Sequence, residues 1–191
     1  MTDIAGYLSA SAAAAAALVV RPGAGAIERA ARMVADALTD GGQVLFCGNG
    51  GSAADAQHLA AELVGRLARE RPAYRALALT TDASVLTAVG NDYGYAEVFA
   101  RQVQGLGRRG DVLVVITTSG RSENVLRAAA AAKEAGLVVV ALLGPARSPL
   151  DDLADVALHV DGDRPSLVQQ GHITIGHALC AWVESRLAGP P

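Results

Sequence analysis

The stretch from Cys47 to Arg66, CGNGGSAADAQHLAAELVGR, constrains this chain more than any other. Ahead of it, Val44 to Cys47 form a short apolar run suited to a buried strand. Gly48, Asn49, Gly50 and Gly51 follow, residues that tolerate left-handed backbone angles and let the main chain turn sharply. Ser52 is a favourable N-cap, and residues 53–67 are a strong helix-forming run. A strand, a Gly-rich turn and a helix N-terminus together make an anion site, because unpaired N–H groups point outward there. His58 and Glu62, four residues apart, project from one face of that helix. Their neighbours Ala54, Ala60, Ala61, Leu63 and Val64 predict a largely buried helix, and a buried carboxylate needs a partner or a job. The bland reading of the pair is a solvated i,i+4 contact; the chemical one is catalysis or metal binding. A phosphate cradle backed by an imidazole and a carboxylate points to an enzyme acting on a phosphorylated metabolite.

The rest of the chain supplies a parallel sheet. Further apolar runs at 75–79, 111–117, 137–143 and 156–160 read as strands, joining a first strand at 43–47. Helical runs at 26–38, 123–135 and 167–187 alternate with them, and 80–90 and 95–106 contain helical turns about the polar break 90–94. Such alternation predicts helices on both faces of the sheet, with ligands beyond the carboxyl ends of the strands. An Ala-rich helix at 2–20, broken at Arg21-Pro22-Gly23, precedes all of this.

At 191 residues, 51% hydrophobic and 18% charged, the chain suits one domain with a sizeable core. A net charge of −3 gives no sign of a nucleic-acid surface. The apolar run 12–20 is too short to span a bilayer, and Asp3 without an early basic region is unlike a signal peptide. Cys47 and Cys180 are the only cysteines, both in apolar settings, so buried thiols in a reducing cytoplasm are expected.

A second polar loop follows the strand at 111–117. Thr117, Thr118, Ser119 and Ser122 place four hydroxyls within six residues, just before a helix. They are either ordinary helix-start residues or neutral donors for a phosphate dianion. The first Gly-rich loop on the same sheet edge favours the dianion. Neither loop has Walker or dinucleotide-fingerprint spacing, so no nucleotide cofactor is expected. The closing helix carries Gln169, Gln170, His172 and His177. Five residues apart, the two histidines point in different directions, and at most one should enter a given site. His159 lies in a strand and takes no role. Asp92, in the turn Asn91-Asp92-Tyr93-Gly94, either stops a helix or binds sugar hydroxyls.

The block GNGGSAADAQHLAAELVGR, the segment LTTDASVLTAVGNDYGYAEVFARQV, the loop ITTSGRSENVL and the Gln169/His172/His177 pattern resemble the sedoheptulose-7-phosphate isomerase (phosphoheptose isomerase) family of SIS-domain proteins. The likeness runs along nearly the whole chain; the TSG loop alone would mark only the wider superfamily. It implies an α/β fold: a three-layer αβα sandwich with a five-stranded parallel sheet, flavodoxin-like, spanning 1–191 as one SIS domain. Helices in 1–40 would be added for oligomer contacts. It implies conversion of D-sedoheptulose 7-phosphate to D-glycero-D-manno-heptose 7-phosphate in the cytoplasm, with neither nucleic acid nor membrane involved. Glu62 and His177 resemble the family's acid/base pair. Ser52, Thr117, Thr118, Ser119 and Ser122 resemble its phosphate and sugar contacts, with Asn49, Gly50, Gly51, Arg66, Asp92 and Gln169 beside them. His58, Glu62, Gln169 and His177 resemble the ligands of a zinc ion. A homotetramer with shared active sites is implied as well.

This chain departs from the family pattern at Gln170, where a glutamate is usual, and in the second loop, where Thr117 and Arg121 replace a serine and an asparagine. The loss of a negative charge bears on metal affinity, and Arg121 adds a cation near the phosphate. Aldose–ketose isomerisation through an enediol needs a base over the carbon-bound hydrogen and an acid/base serving the oxygens. Either of Glu62 and His177 fits either role. The alternative function is a non-catalytic SIS protein that binds a phosphosugar or a protein partner, as the replication-initiator-associating relatives do. Those relatives lack the residues equivalent to Glu62 and His177.

Overall fold

The structure, a computed structural model, describes residues 3–188. Residue 2, the expected start of the first helix, lies outside them. Five strands form the sheet: β1 (Val44–Gly48), β2 (Ala76–Ala78), β3 (Val112–Thr117), β4 (Val138–Leu143) and β5 (Val156–His159). All pair in parallel, in the order β2-β1-β3-β4-β5. β1 and β3 are buried along their whole length, which is why they read as unbroken apolar runs. Their side chains alternate between two cores. Val44, Phe46, Val112, Val114 and Ile116 enter one, and Leu45, Cys47, Leu113 and Val115 enter the other.

Among the described residues, eight α-helices flank the sheet: α1 (Ile4–Ala17), α2 (Ala24–Thr39), α3 (Gly51–Val64), α4 (Ala83–Asp92), α5 (Ala100–Leu106), α6 (Glu123–Ala135), α7 (Leu150–Leu153) and α8 (Pro165–Leu187). The first core is closed by α2, α3 and α8, with α1 packed on α8. The second is closed by α5 and α6. This is the three-layer αβα sandwich that the alternation of runs predicts.

The strand order places the site. From β1 the chain steps outward to β2, whereas from β3 it steps the other way to β4 and β5. The carboxyl ends of β1 and β3 therefore border the crevice left where the winding reverses. Gly48 stands opposite Ile116 in the register, so the Asn49 and Thr117 loops leave the sheet side by side.

Four local expectations are corrected. The N-cap of α3 is Gly50, not Ser52. Gly50 has φ 57°, a left-handed angle open to glycine, and Ser52 lies buried in the first turn. The helix ends at Val64 rather than 67, because the chain turns back on itself from Gly65. Only the stripe Ser52, Ala56, Leu59, Ala60 and Leu63 is buried; Ala54, Ala61 and Val64 are exposed in the single chain. The polar break at 90–94 is in part helix, since α4 continues through Asn91 and Asp92.

The break at Arg21-Pro22-Gly23 is present as expected: Arg21 leaves helical angles, and the Arg21–Pro22 peptide is cis. Arg21 reaches across to Asp161 Oδ1 at 2.8 Å and to the Pro145 carbonyl. α1 has no buried residue, and Ile4, Leu8, Val19 and Val20 are well exposed. The Ile4–Thr39 stretch contains a window apolar enough by composition to cross a membrane, with mean hydropathy 1.5. Much of it is alanine, and the kink at Arg21 interrupts it.

Candidate active site

Two clusters lie along α3, one at the strand ends and the other where α3 meets α8. The first is a small cavity of about 100 Å³ lined by Asn49, Ser52, Ile116, Thr117, Thr118, Ser119, Ser122 and Gln169. The lining carries hydroxyls and amides but no charged side chain among the described residues, so an anion entering it would be held by neutral donors. The loop is self-braced: Gly120 N–H donates to Thr117 Oγ1 at 3.2 Å, and Arg121 N–H donates to Ser119 Oγ at 3.2 Å. Gly51 permits the close approach of Gln169. A Cβ there would stand 2.6 Å from the Gln169 amide nitrogen.

Asn49 and Asn124 hold each other through a reciprocal amide pair, both bonds 2.9 Å, and the Tyr95 hydroxyl donates to Asn49 Oδ1 at 3.1 Å. The first loop is thereby tied to the start of α6. Neither Asn124 nor Tyr95 figures in the sequence reading. Asn124 is 3% exposed on an otherwise alanine-lined face, and that buried polar residue was the available signal.

The second cluster joins α3 to α8. His58 Nε2 lies 2.8 Å from His177 Nε2 and 3.2 Å from Glu62 Oε1, and the two rings meet edge to face. The ligating atoms of all three residues fall within 4.8 Å of one another. Two imidazole nitrogens this close cannot both present bare lone pairs; a proton or a cation must sit between them. Two imidazoles and one carboxylate on two rigid helices, with His58 half exposed, are a donor set that suits zinc with a position left for another ligand. Asp55, one turn before His58, brings a second carboxylate. Burial pushes its carboxyl up while His58 and His177 pull it down, and its Oδ2 is buried without a partner. The sequence reading missed Asp55, although its i−3 spacing from His58 placed it on the same face.

The other expected residues divide. Gln169 lines the hydroxyl-bearing cavity, with its amide packed against Gly51. Arg66 lies outside the cavity in solvent, 3.8 Å from Glu70, because it follows the turn that ends α3. Asp92 is exposed and accepts a bond from the Asn91 amide, also away from the cavity. Of the closing-helix histidines only His177 enters the site. His172 is fully buried, donates from Nε2 to the Leu143 carbonyl at 3.0 Å, and has its pKa lowered by burial to about 4. His159 braces the loop after β4, between the Gly144 carbonyl and Asp151. Both thiols are buried, with pKa pushed up to about 12.

A larger cavity, about 520 Å³, lies apart from this chemistry, between β2, α4 and α5, and is mostly apolar. Volume alone would choose it. The converging titratable groups choose the clusters along α3.

Comparison with known proteins identifies the family. Residues 7–144 match the family model described as SIS domain. A phosphoheptose isomerase of Solidesulfovibrio magneticus is 54% identical over 184 residues, covering 96% of this chain and 89% of that protein. The structure of a phosphoheptose isomerase from Neisseria gonorrhoeae superposes with a TM-score of 0.87 at 42% identity, over 95% of this chain and 96% of the other. The corresponding Francisella tularensis structure gives 0.89 at 40% identity, over 94% and 95%.

Proposed function

We infer the function from a plain premise: the chain belongs to the phosphoheptose isomerase family of SIS-domain proteins. It is an aldose–ketose isomerase that converts D-sedoheptulose 7-phosphate to D-glycero-D-manno-heptose 7-phosphate, the first step towards activated heptoses. The observation that carries the mechanism is the meeting of Glu62 and His177, 115 positions apart in sequence, within 4.8 Å.

In our reading the neutral donors of Ser52, Thr117, Thr118, Ser119 and Ser122 hold the phosphate, while the Asn49-Gly50-Gly51 turn and Gln169 close the cavity around it. Anchoring that end places the reacting carbons by α3 and α8. One of Glu62 and His177 takes the proton from C1 of the ketose as the other protonates O2, giving the enediol. The reverse pair of transfers, from O1 and to C2, completes the aldose. His58, Glu62 and His177, with Gln169 as a fourth donor, would hold a zinc ion, which when bound supplies Lewis acidity towards the C1 and C2 oxygens. Arg66 and Asp92 lie outside the cavity of the single chain, and we propose that they meet the substrate across a contact between copies.

The unburied apolar face of α1, with Val19 and Val20 beyond it, is the surface on which we propose that copies of the chain assemble as a homotetramer. The buried free thiols fit a cytoplasmic enzyme.

The test is Glu62→Gln. Turnover of sedoheptulose 7-phosphate should fall by about 10²–10⁴-fold with the circular dichroism spectrum unchanged. Near-normal isomerisation by this variant would remove Glu62 from the chemistry.

A further inference from the structure

The loop after α3 is closed by a buried ion pair whose bonds converge on one catalytic position. Glu184, on α8 and 2% exposed, accepts the backbone N–H of Leu67 at 3.0 Å through Oε1. Its Oε2 accepts those of Ala68 at 2.9 Å and Arg69 at 3.0 Å. Arg71 Nε completes the set, donating to Oε1 at 3.1 Å. Burial pushes the Glu184 carboxyl up, but these donors outweigh it and the pKa is lowered. The Arg71 side chain is equally buried, with its guanidinium carbon 3.9 Å from the centre of the Tyr74 ring. It donates from Nη2 to the Glu62 carbonyl at 2.7 Å, and from Nη1 to the Leu63 and Pro72 carbonyls at 2.9 and 3.0 Å.

The Glu62 and Leu63 carbonyls belong to the last turn of α3, where helical partners run out. A guanidinium is a costly way to satisfy them, since a buried ion pair contributes little net stability over an apolar replacement. What it adds is direction. Glu184 stands seven residues, two helical turns, beyond His177 on the same face of α8. One helix thus faces Glu62 twice, through His177 at its side chain and through Glu184 and Arg71 at its main chain.

We propose that Arg71 and Glu184 are positioning residues for the reaction, holding the Glu62 backbone so that its carboxylate meets His58 and His177. This rests on the reading that Glu62 and His177 carry the chemistry. A lysine at position 71 keeps the charge but cannot fork between two carbonyls and a carboxylate. A glutamine at 184 keeps the shape but loses the charge and one acceptor oxygen.

The experiment compares Arg71→Lys and Glu184→Gln with wild type at a temperature where thermal melts show each variant folded. Three quantities are measured: kcat and KM for sedoheptulose 7-phosphate, the Zn²⁺ dissociation constant by chelator competition, and the affinity for inorganic phosphate. The expected result is a drop in kcat of about tenfold or more and Zn²⁺ binding weakened by a similar factor, with KM and phosphate affinity within about twofold. Folded variants that keep kcat and Zn²⁺ affinity within about twofold overturn the proposal. So does a uniform loss of all the measured properties, or a failure of both variants to fold, because either makes the pair a stability element alone. Glu62→Gln run in parallel separates the two levels. If it stays active the catalytic reading fails; if it is inactive while the clasp variants behave as wild type, only this proposal fails.

Discussion

Lowering the pH should strip stability from this fold through one side chain, His172. Its ring is 0% exposed, Nε2 donates to the Leu143 carbonyl, and Nδ1 is buried without a partner. Protonation would place a proton on Nδ1 where nothing accepts it. Burial accordingly lowers the pKa from 6.5 to about 4, the carbonyl bond resisting in part and no charged neighbour contributing. The unfolded chain then binds the proton more tightly than the folded one. The stabilising contribution is complete above about pH 6.5 and is lost as the pH falls to about 4. The gap between those values is worth about 3 kcal/mol, a large fraction of a typical domain's stability. Urea unfolding of the metal-free protein at fixed concentration, between pH 7 and 4.5, measures it. His172→Gln retains a donor towards Leu143 but cannot titrate. It should show a flatter fall than wild type over this window, whatever its stability at pH 7. Parallel slopes would refute the argument, since the acid-labile carboxylates are common to both chains.

Three further outcomes follow from the geometry. Gly51→Ala puts a methyl within 3 Å of the Gln169 amide, the far end of a flexible side chain; the protein should fold, with KM raised about tenfold by a disturbed cavity, and an unchanged KM would count against Gln169 as a substrate contact. Asn124→Ala removes the reciprocal bonds to Asn49; with each bond worth about 1 kcal/mol, kcat/KM should drop by up to about 30-fold, as steady-state assays would show. Chelation of the His58, Glu62 and His177 cluster should abolish turnover and lower the melting temperature, with Zn²⁺ restoring both; a metal present at 100 times its dissociation constant adds about 2.7 kcal/mol.

Much of the frame was legible because its signals are local. β3 and β4 are apolar runs buried on both faces, and their limits fall within a residue of those read from sequence. α6 begins and ends where its composition says it should. The two loops share an edge because parallel topology leaves no other place for them. What stayed hidden depends on partners distant in sequence. Asp55 looks like an ordinary helix residue until His177 arrives from α8, and Arg71 like a loop cation until Glu184 does. Ser52 was read as a cap because caps are judged by residue type, whereas the backbone angle of Gly50 decides the start of α3. The exposed Ala54, Ala61 and Val64 show how an apolar helix face can be mistaken for a buried one when only one chain is in view.

Both clusters hang from a single rod. Ser52 opens α3 at the anion cavity, and His58 and Glu62 stand six and ten residues on, a rise of about 9 and 15 Å. The gap between grip and reaction is thus written in helical turns, which neither stretch nor compress. On the roles proposed above, a shorter sugar phosphate that seats its anion would dangle short of the proton-handling end. A piece of regular secondary structure would then gauge the length of the substrate.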